Sequence, residues 1–222
     1  MKKSGSCHDP LEVIGRAKGY SRKELILNLP RHTKFTPNII EQIKKIPEVQ
    51  LRNSGSPIAK KLIQMMREIS LETYRAIQFT RTEMNNKGVL FGVVLLKHRV
   101  IDRVLIYFHK RWPQSVICLY NEYDHKTSII NEKGIIREVS SALNEVVENV
   151  SKIRPVIPYF EDIQISGGEI FETLYKTQNI IERENPSYFK KMIPDYCYEL
   201  PGMRNGVERR YISRNKKINE FF

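Results

Sequence analysis

The sequence predicts an α+β protein: a mixed sheet containing a strand-helix-strand-hairpin unit, flanked by several helices. Three observations carry this. Val89–Leu96 and Ser115–Tyr123 are nearly continuous apolar runs, as expected of strands buried on both faces. Residues 99–112 between them have helical periodicity, and strand–helix–strand with short joints implies a crossover between parallel strands. Asp124-His125 then separates the second run from Lys126–Asn131, a hairpin pattern that adds an antiparallel neighbour.

The other elements follow in chain order. Pro10, Gly15, Gly19 and Pro30 interrupt residues 1–36, leaving a short apolar run at Leu25–Leu29. Thr36-Pro37 opens a helix over 37–46, because proline suits the first helical position. Asn53-Ser54-Gly55 reads as a loop. Ser56 caps and Pro57 opens a helix to about residue 72. Ile58, Leu62, Met65, Ile69 and Thr73 share its apolar face; Lys60, Lys61, Arg67 and Glu68 lie off it. Tyr74–Met84 reads as a strand, closed by the turn Asn85-Asn86-Lys87-Gly88. The helix over 99–112 carries Ile101, Leu105, Phe108 and Trp112 on one face and stops at Pro113. Ser140 or Ser141 caps a helix bearing Leu143, Val146, Val147 and Val150. Residues 154–166 form an irregular connection. Gly167-Gly168 precedes a helix with Ile170, Leu174, Gln178 and Ile181 on its face, and Pro186 begins a last short one. The expected organisation is an N-terminal, partly helical extension (1–50), a single α+β domain (51–203) and a basic tail (204–222).

With 222 residues, 41% of them hydrophobic, the chain needs no disulfide or metal staple to build a core. Cys7, Cys118 and Cys197 are far apart and form no CxxC pair, which points to a reducing, cytoplasmic setting. No run approaches a membrane span, and the opening residues lack the apolar stretch of a secretory signal, so no membrane partner is expected. The net charge of +12 is unevenly spread. Residues 1–50 carry 10 Lys/Arg against 5 Asp/Glu, and 51–113 carry 12 against 4. Residues 114–200 reverse this with 9 against 14, and 201–222 return to 6 against 2. Basic parts around an acidic one suit a polyanionic partner on one side of the molecule.

No P-loop, dinucleotide fingerprint, HExxH or GxSxG occurs. The candidate groups are therefore isolated. Arg75, Gln78 and Arg81 lie on the segment read as a strand, and arginine's planar fork suits phosphate. His98 stands where a buried strand meets a helix N-terminus, a place for an anion or for a neutral imidazole base. His109, Lys110 and Arg111 point outward beside the core aromatics and form a phosphate surface. Arg204, Arg209 and Arg210 belong to a basic arm suited to nucleic acid. Glu182 and Glu184 are two apart and do not share a helix face, so no metal is expected there. Asn185 caps the helix that follows.

Three blocks together carry a family resemblance: Lys60-Lys61-Leu62 through TYRAIQFTR at 73–81; LKHRVIDRVLIYFHKRWPQSVICLY at 96–120; and ETLYKTQNIIERENP at 172–186 with IPDYCYELP at 193–201. In order and spacing they resemble domain-of-unknown-function family 4130, over roughly residues 55–203. Arg183-Glu184-Asn185-Pro186 fits its pattern well. Ile193-Pro194-Asp195-Tyr196-Cys197 keeps the proline and tyrosine but lacks the family's lysine and tryptophan, and Phe171 stands where tryptophan is usual. The resemblance implies DNA metabolism or repair, since the bacterial domain is found fused to a uracil-DNA glycosylase-like domain or beside a radical-SAM protein. The chain has no Cys-x3-Cys-x2-Cys motif, so it is not itself a radical-SAM enzyme, and no cofactor is expected.

The expected function is that of a DNA-metabolism or DNA-repair associated protein binding nucleic acid through a basic surface. Arg75, Gln78, His98, Arg183, Asn185 and Tyr196 form its candidate cleft, with Arg81, His109, Lys110, Arg111 and the tail arginines as the nucleic-acid surface. Two alternatives stay open. One is an enzyme acting on DNA or a modified base; the other is an accessory module for a radical-SAM or glycosylase-type protein partner.

Overall fold

Ser21-Arg22-Lys23-Glu24 is a capping box followed by apolar residues, and it starts the first helix. The Ser21 hydroxyl accepts the Glu24 N–H at 3.3 Å, and the Glu24 carboxylate accepts the Ser21 N–H at 2.8 Å. The computed structural model describes residues 19–156 and, beyond them, Thr173, Thr177, Asn185, Ser187, Tyr188, Lys191, Ile193 and Cys197. The helices expected after Gly167-Gly168 and at Pro186, and the tail, otherwise lie outside the described residues. The chain divides into two compact units. The first holds residues 19–77 and Leu96–Val104; the second holds Gln78–Leu95 and the residues from Leu105 on.

The first unit is helical. Helix α1 (Arg22–Asn28) runs into a 3₁₀ turn (Leu29–Arg31), followed by α2 (Pro37–Lys45), α3 (Glu48–Asn53) and most of α4 (Pro57–Phe79). Leu25, Leu29, Ile43, Leu51, Leu62 and Ile69 are fully buried. The Arg22 guanidinium donates to the carbonyls of Ile43 (3.2 Å) and Ile46 (2.6 Å), satisfying groups that the end of α2 leaves open. Helix α3 ends at Ser54, whose φ of 55° is left-handed. That ending is the loop signal read at Asn53-Ser54-Gly55, but the helix before it was not anticipated.

The strand expected over Tyr74–Met84 is corrected. Helix α4 continues to Phe79, and only Thr82–Met84 is extended. Thr73, Ala76 and Ile77 prolong the buried stripe of Ile69 at helical spacing, so packing outweighs the β propensity of Thr73 and Ile77. The buried hydroxyls of Ser70 and Thr73 bond back to the carbonyls of Met66 and Ile69, both at 2.9 Å, so the helix contains its own polar groups.

The second unit holds a five-stranded mixed sheet in the order β1-β2-β3-β4-β5. Its strands are β1 (Thr82–Met84), β2 (Val89–Val94), β3 (Val116–Asn121), β4 (Lys126–Ile130) and β5 (Ile136–Val139). β2 and β3 are parallel and joined through α5 (Ile101–Arg111), whose first turn belongs to the first unit. The other pairs are antiparallel. The strand-helix-strand-hairpin expectation therefore holds. The hairpin is looser than expected: four residues, Glu122–His125, link β3 to β4, and His125 takes φ 57°. β5 was not anticipated; Gly134, at φ 75°, turns the chain into it. Alternation places Val89, Phe91, Val116, Cys118 and Ile129 on one face, packed with Leu143, Val146, Val147 and Val150 of α6 (Leu143–Lys152). The N-cap of α6 is Ala142, not the expected serine. Burial pushes the Cys118 thiol up to about 12, so it is an inert core group.

Candidate functional site

Four polar side chains of the first unit gather around two short segments, residues 31–34 and 97–99. The segments clasp each other. The Arg99 N–H donates to the Arg31 carbonyl at 2.8 Å, and the Arg31 guanidinium donates to the Arg99 carbonyl at 2.9 Å. Arg31 also pairs with Asp102 at 2.5 Å, and Arg103 bonds Asn28. The clasp sets His32 against His98, with ring centroids 4.3 Å apart and planes inclined by 30°.

His32 is almost wholly buried, and both of its nitrogens have partners. Its Nδ1 accepts the Lys34 N–H at 3.0 Å. The proton therefore sits on Nε2, which donates to Glu68 Oε2 of α4 at 2.9 Å. Gln64, one turn earlier, donates to the other Glu68 oxygen at 3.1 Å. His98 is half-buried, and its Nδ1 faces the Thr33 N–H at 3.4 Å. Glu72, one turn after Glu68 on α4, accepts the N–H groups of Lys97 (2.9 Å) and His98 (2.8 Å). The anion site expected from free amides at His98 is thus filled by a carboxylate of the chain itself.

Electrostatics sort these groups. The hydrogen bond from His32 is the main reason that the Glu68 carboxyl lies below its usual range, so it is ionised. Burial raises Glu72, while the amides of Lys97 and His98 pull it back. Burial pushes the His98 imidazole down to about 4, helped by His32 and Lys97 and opposed by Glu68. His98 is neutral at pH 7, but so weak a base is poorly matched to proton abstraction there. A neutral ring nitrogen suits ligation or hydrogen bonding better.

Two predictions follow from this geometry. Glu72→Ala leaves two amides without their acceptor and lowers stability by about 1–3 kcal/mol, while Glu72→Gln, which keeps one acceptor oxygen, loses less. Urea unfolding of the three chains measures the ranking. The second prediction concerns acid. His98 takes up its proton near pH 6.5 when unfolded but only at about 4 when folded. The unfolded chain therefore binds more protons between those values, and stability falls as pH drops from 6.5 towards 4. Glu68, lowered in the fold, loses its contribution only below its ordinary range. The raised Glu72 acts in the opposite sense. His98→Gln therefore shows a smaller drop in urea midpoint than wild type between pH 7.5 and 5.

The residues singled out in the sequence are divided between the two units. His98 lies in the cluster and Arg75 is half-buried on α4, both in the first unit. Gln78, in the last turn of α4, belongs to the second unit, and its carbonyl accepts the Arg81 guanidinium at 3.0 Å. Arg75 and Gln78 sit on a helix, not on the strand expected there. Lys110 and Arg111 are exposed in the last turn of α5, where cations complement the helix dipole. His109 is half-buried, with a buried Nδ1 that has no partner among the described residues. Trp112, expected in the core stripe, is 41% exposed because α5 ends at Arg111. Asn185 accepts the Tyr188 N–H at 2.9 Å, the capping bond expected of it. Arg183, Tyr196, Arg204, Arg209 and Arg210 lie outside the described residues. Sequence reasoning missed His32, Glu68 and Glu72 as site members; no motif spacing joins them to His98.

Fold and site define an α+β protein with a histidine–carboxylate cluster in a basic helical unit. The chain belongs to domain-of-unknown-function family 4130, whose model matches residues 31–200. No curated protein and no solved structure matches it. None of the described helices is long and apolar enough to cross a membrane.

Proposed function

We propose that the protein binds nucleic acid through the basic face of its helical unit and serves in DNA metabolism or repair. The distribution of charge supports the reading. The described part of the first unit carries 14 Lys/Arg against six Asp/Glu, while that of the second carries ten against seven. On α4, Lys60, Gln64, Arg67, Leu71 and Arg75 recur at spacings of four, three, four and four, which aligns three cations on one stripe. None of the three forms an ion pair among the described residues. Lys34, Lys97 and Arg99 are exposed around the histidine cluster and add to the positive field. Such cations contact phosphates without reading sequence, and displacing counterions makes the binding salt-dependent.

The experiment is fluorescence anisotropy of the full chain with labelled duplex DNA, single-stranded DNA and RNA at two salt concentrations. Binding that weakens steeply with salt supports the reading, and the ranking of the three probes names the substrate. Absent binding, or affinity indifferent to salt, overturns it.

A further inference from the structure

His32, Glu68 and His98 reach one point from three separate segments of the first unit: the end of the 3₁₀ turn, the middle of α4 and the loop before α5. One potential ligand atom from each lies within 4.8 Å of the others. We propose that these three residues bind a single divalent transition-metal ion of the borderline class, with Zn²⁺ as its type.

The chemistry of the donors selects the class. Two imidazoles and one carboxylate suit Zn²⁺, Co²⁺ or Ni²⁺, whereas Mg²⁺ and Ca²⁺ prefer all-oxygen sites. Donors about 2.0–2.2 Å from a tetrahedral ion stand roughly 3.4 Å apart. His32 Nε2 and Glu68 Oε2, at 2.9 Å, are already within that spacing. The remaining separations close by small turns of Glu68 and His98, which are both partly exposed, while the buried His32 stays fixed. Three protein ligands leave a coordination position for water or a substrate oxygen, the arrangement of an open site.

The surroundings provide the outer support that metal ligands use. Gln64 holds the second Glu68 oxygen, and Glu72 anchors the backbone of Lys97 and His98. Loading has one local cost. With the ion on Nε2, the His32 proton moves to Nδ1 and the hydrogen bond from the Lys34 N–H is lost. Thr33 and Lys34 are exposed, so water replaces that acceptor. The ionised Glu68 supplies charge to compensate the cation.

The proposal is independent of nucleic-acid binding, because the test contains none. Chelator-treated full chain is titrated with Zn²⁺ by calorimetry and with Co²⁺ by its visible ligand-field absorption. One ion per chain is expected, with affinity at least tenfold weaker in His98→Ala and in Glu68→Ala and unchanged in the control His125→Ala. NMR of the wild-type imidazoles covers the case in which a variant misfolds: Zn²⁺ should shift the His32 and His98 ring signals among the five histidines. No saturable uptake, uptake unaffected by both substitutions in folded protein, or shifts confined to other histidines would overturn the proposal.

Discussion

Gly92→Val abolishes the native pairing of β1 with β2 and lowers stability by about 3 kcal/mol or more, measured by urea unfolding and by loss of amide protection across both strands. The reason lies in backbone geometry. Gly92 pairs with Thr82, and a Cβ added at Gly92 would stand 2.7 Å from the Arg81 carbonyl oxygen. That atom belongs to the main chain and cannot turn aside as a side chain would. β2 is also the parallel partner of β3 and lies between β1 and β3, so displacing it disturbs two ladders. Gly92→Ala meets the same oxygen and ranks just below valine. A stability within 0.5 kcal/mol of wild type for either variant would mean that β1 is not held where the structure places it.

Replacing Lys60, Arg67 and Arg75 together with glutamine lowers nucleic-acid affinity at least tenfold at 0.1 M salt. It also reduces the slope of log affinity against log salt by about 3, close to one unit per lost phosphate contact. The three side chains share one stripe of α4, and their removal breaks no ion pair among the described residues, so the fold should survive. The double substitution Lys110→Gln with Arg111→Gln, in the second unit, is the control and leaves the slope within one unit of wild type. Equal losses in both variants would mean that net charge, rather than the α4 face, governs binding.

The sheet was legible where its signals are local. Val89–Leu96 and Ser115–Tyr123 announce buried strands by composition alone, and the helix between them follows from its spacing. Elements that depend on distant packing were harder to read. The last turns of α4 carry β-favouring residues that are helical because Thr73, Ala76 and Ile77 bury themselves along the stripe of Ile69. β5 has only four residues, none fully buried, so its pattern hardly differs from a polar loop. The capping box at Ser21 was written in the sequence, but the prolines and glycines around it obscured the short helix that it starts. The site divides in the same way. His98 was visible because it precedes a helix. Its partner His32 is brought to it by the clasp between Arg31 and Arg99, and Glu68 by α4, whose Glu72 holds the Lys97 and His98 amides; both are contacts between segments far apart in the chain. No local pattern encodes that clasp.

The most direct test of the central claim is a residue-resolved NMR titration of the isotope-labelled full chain with a short DNA duplex at low salt. The account predicts shifts along α4 from Lys60 to Arg75 and at Lys34, Lys97 and Arg99, all fading as salt is raised. Shifts confined to the second unit, or none at all, would contradict it.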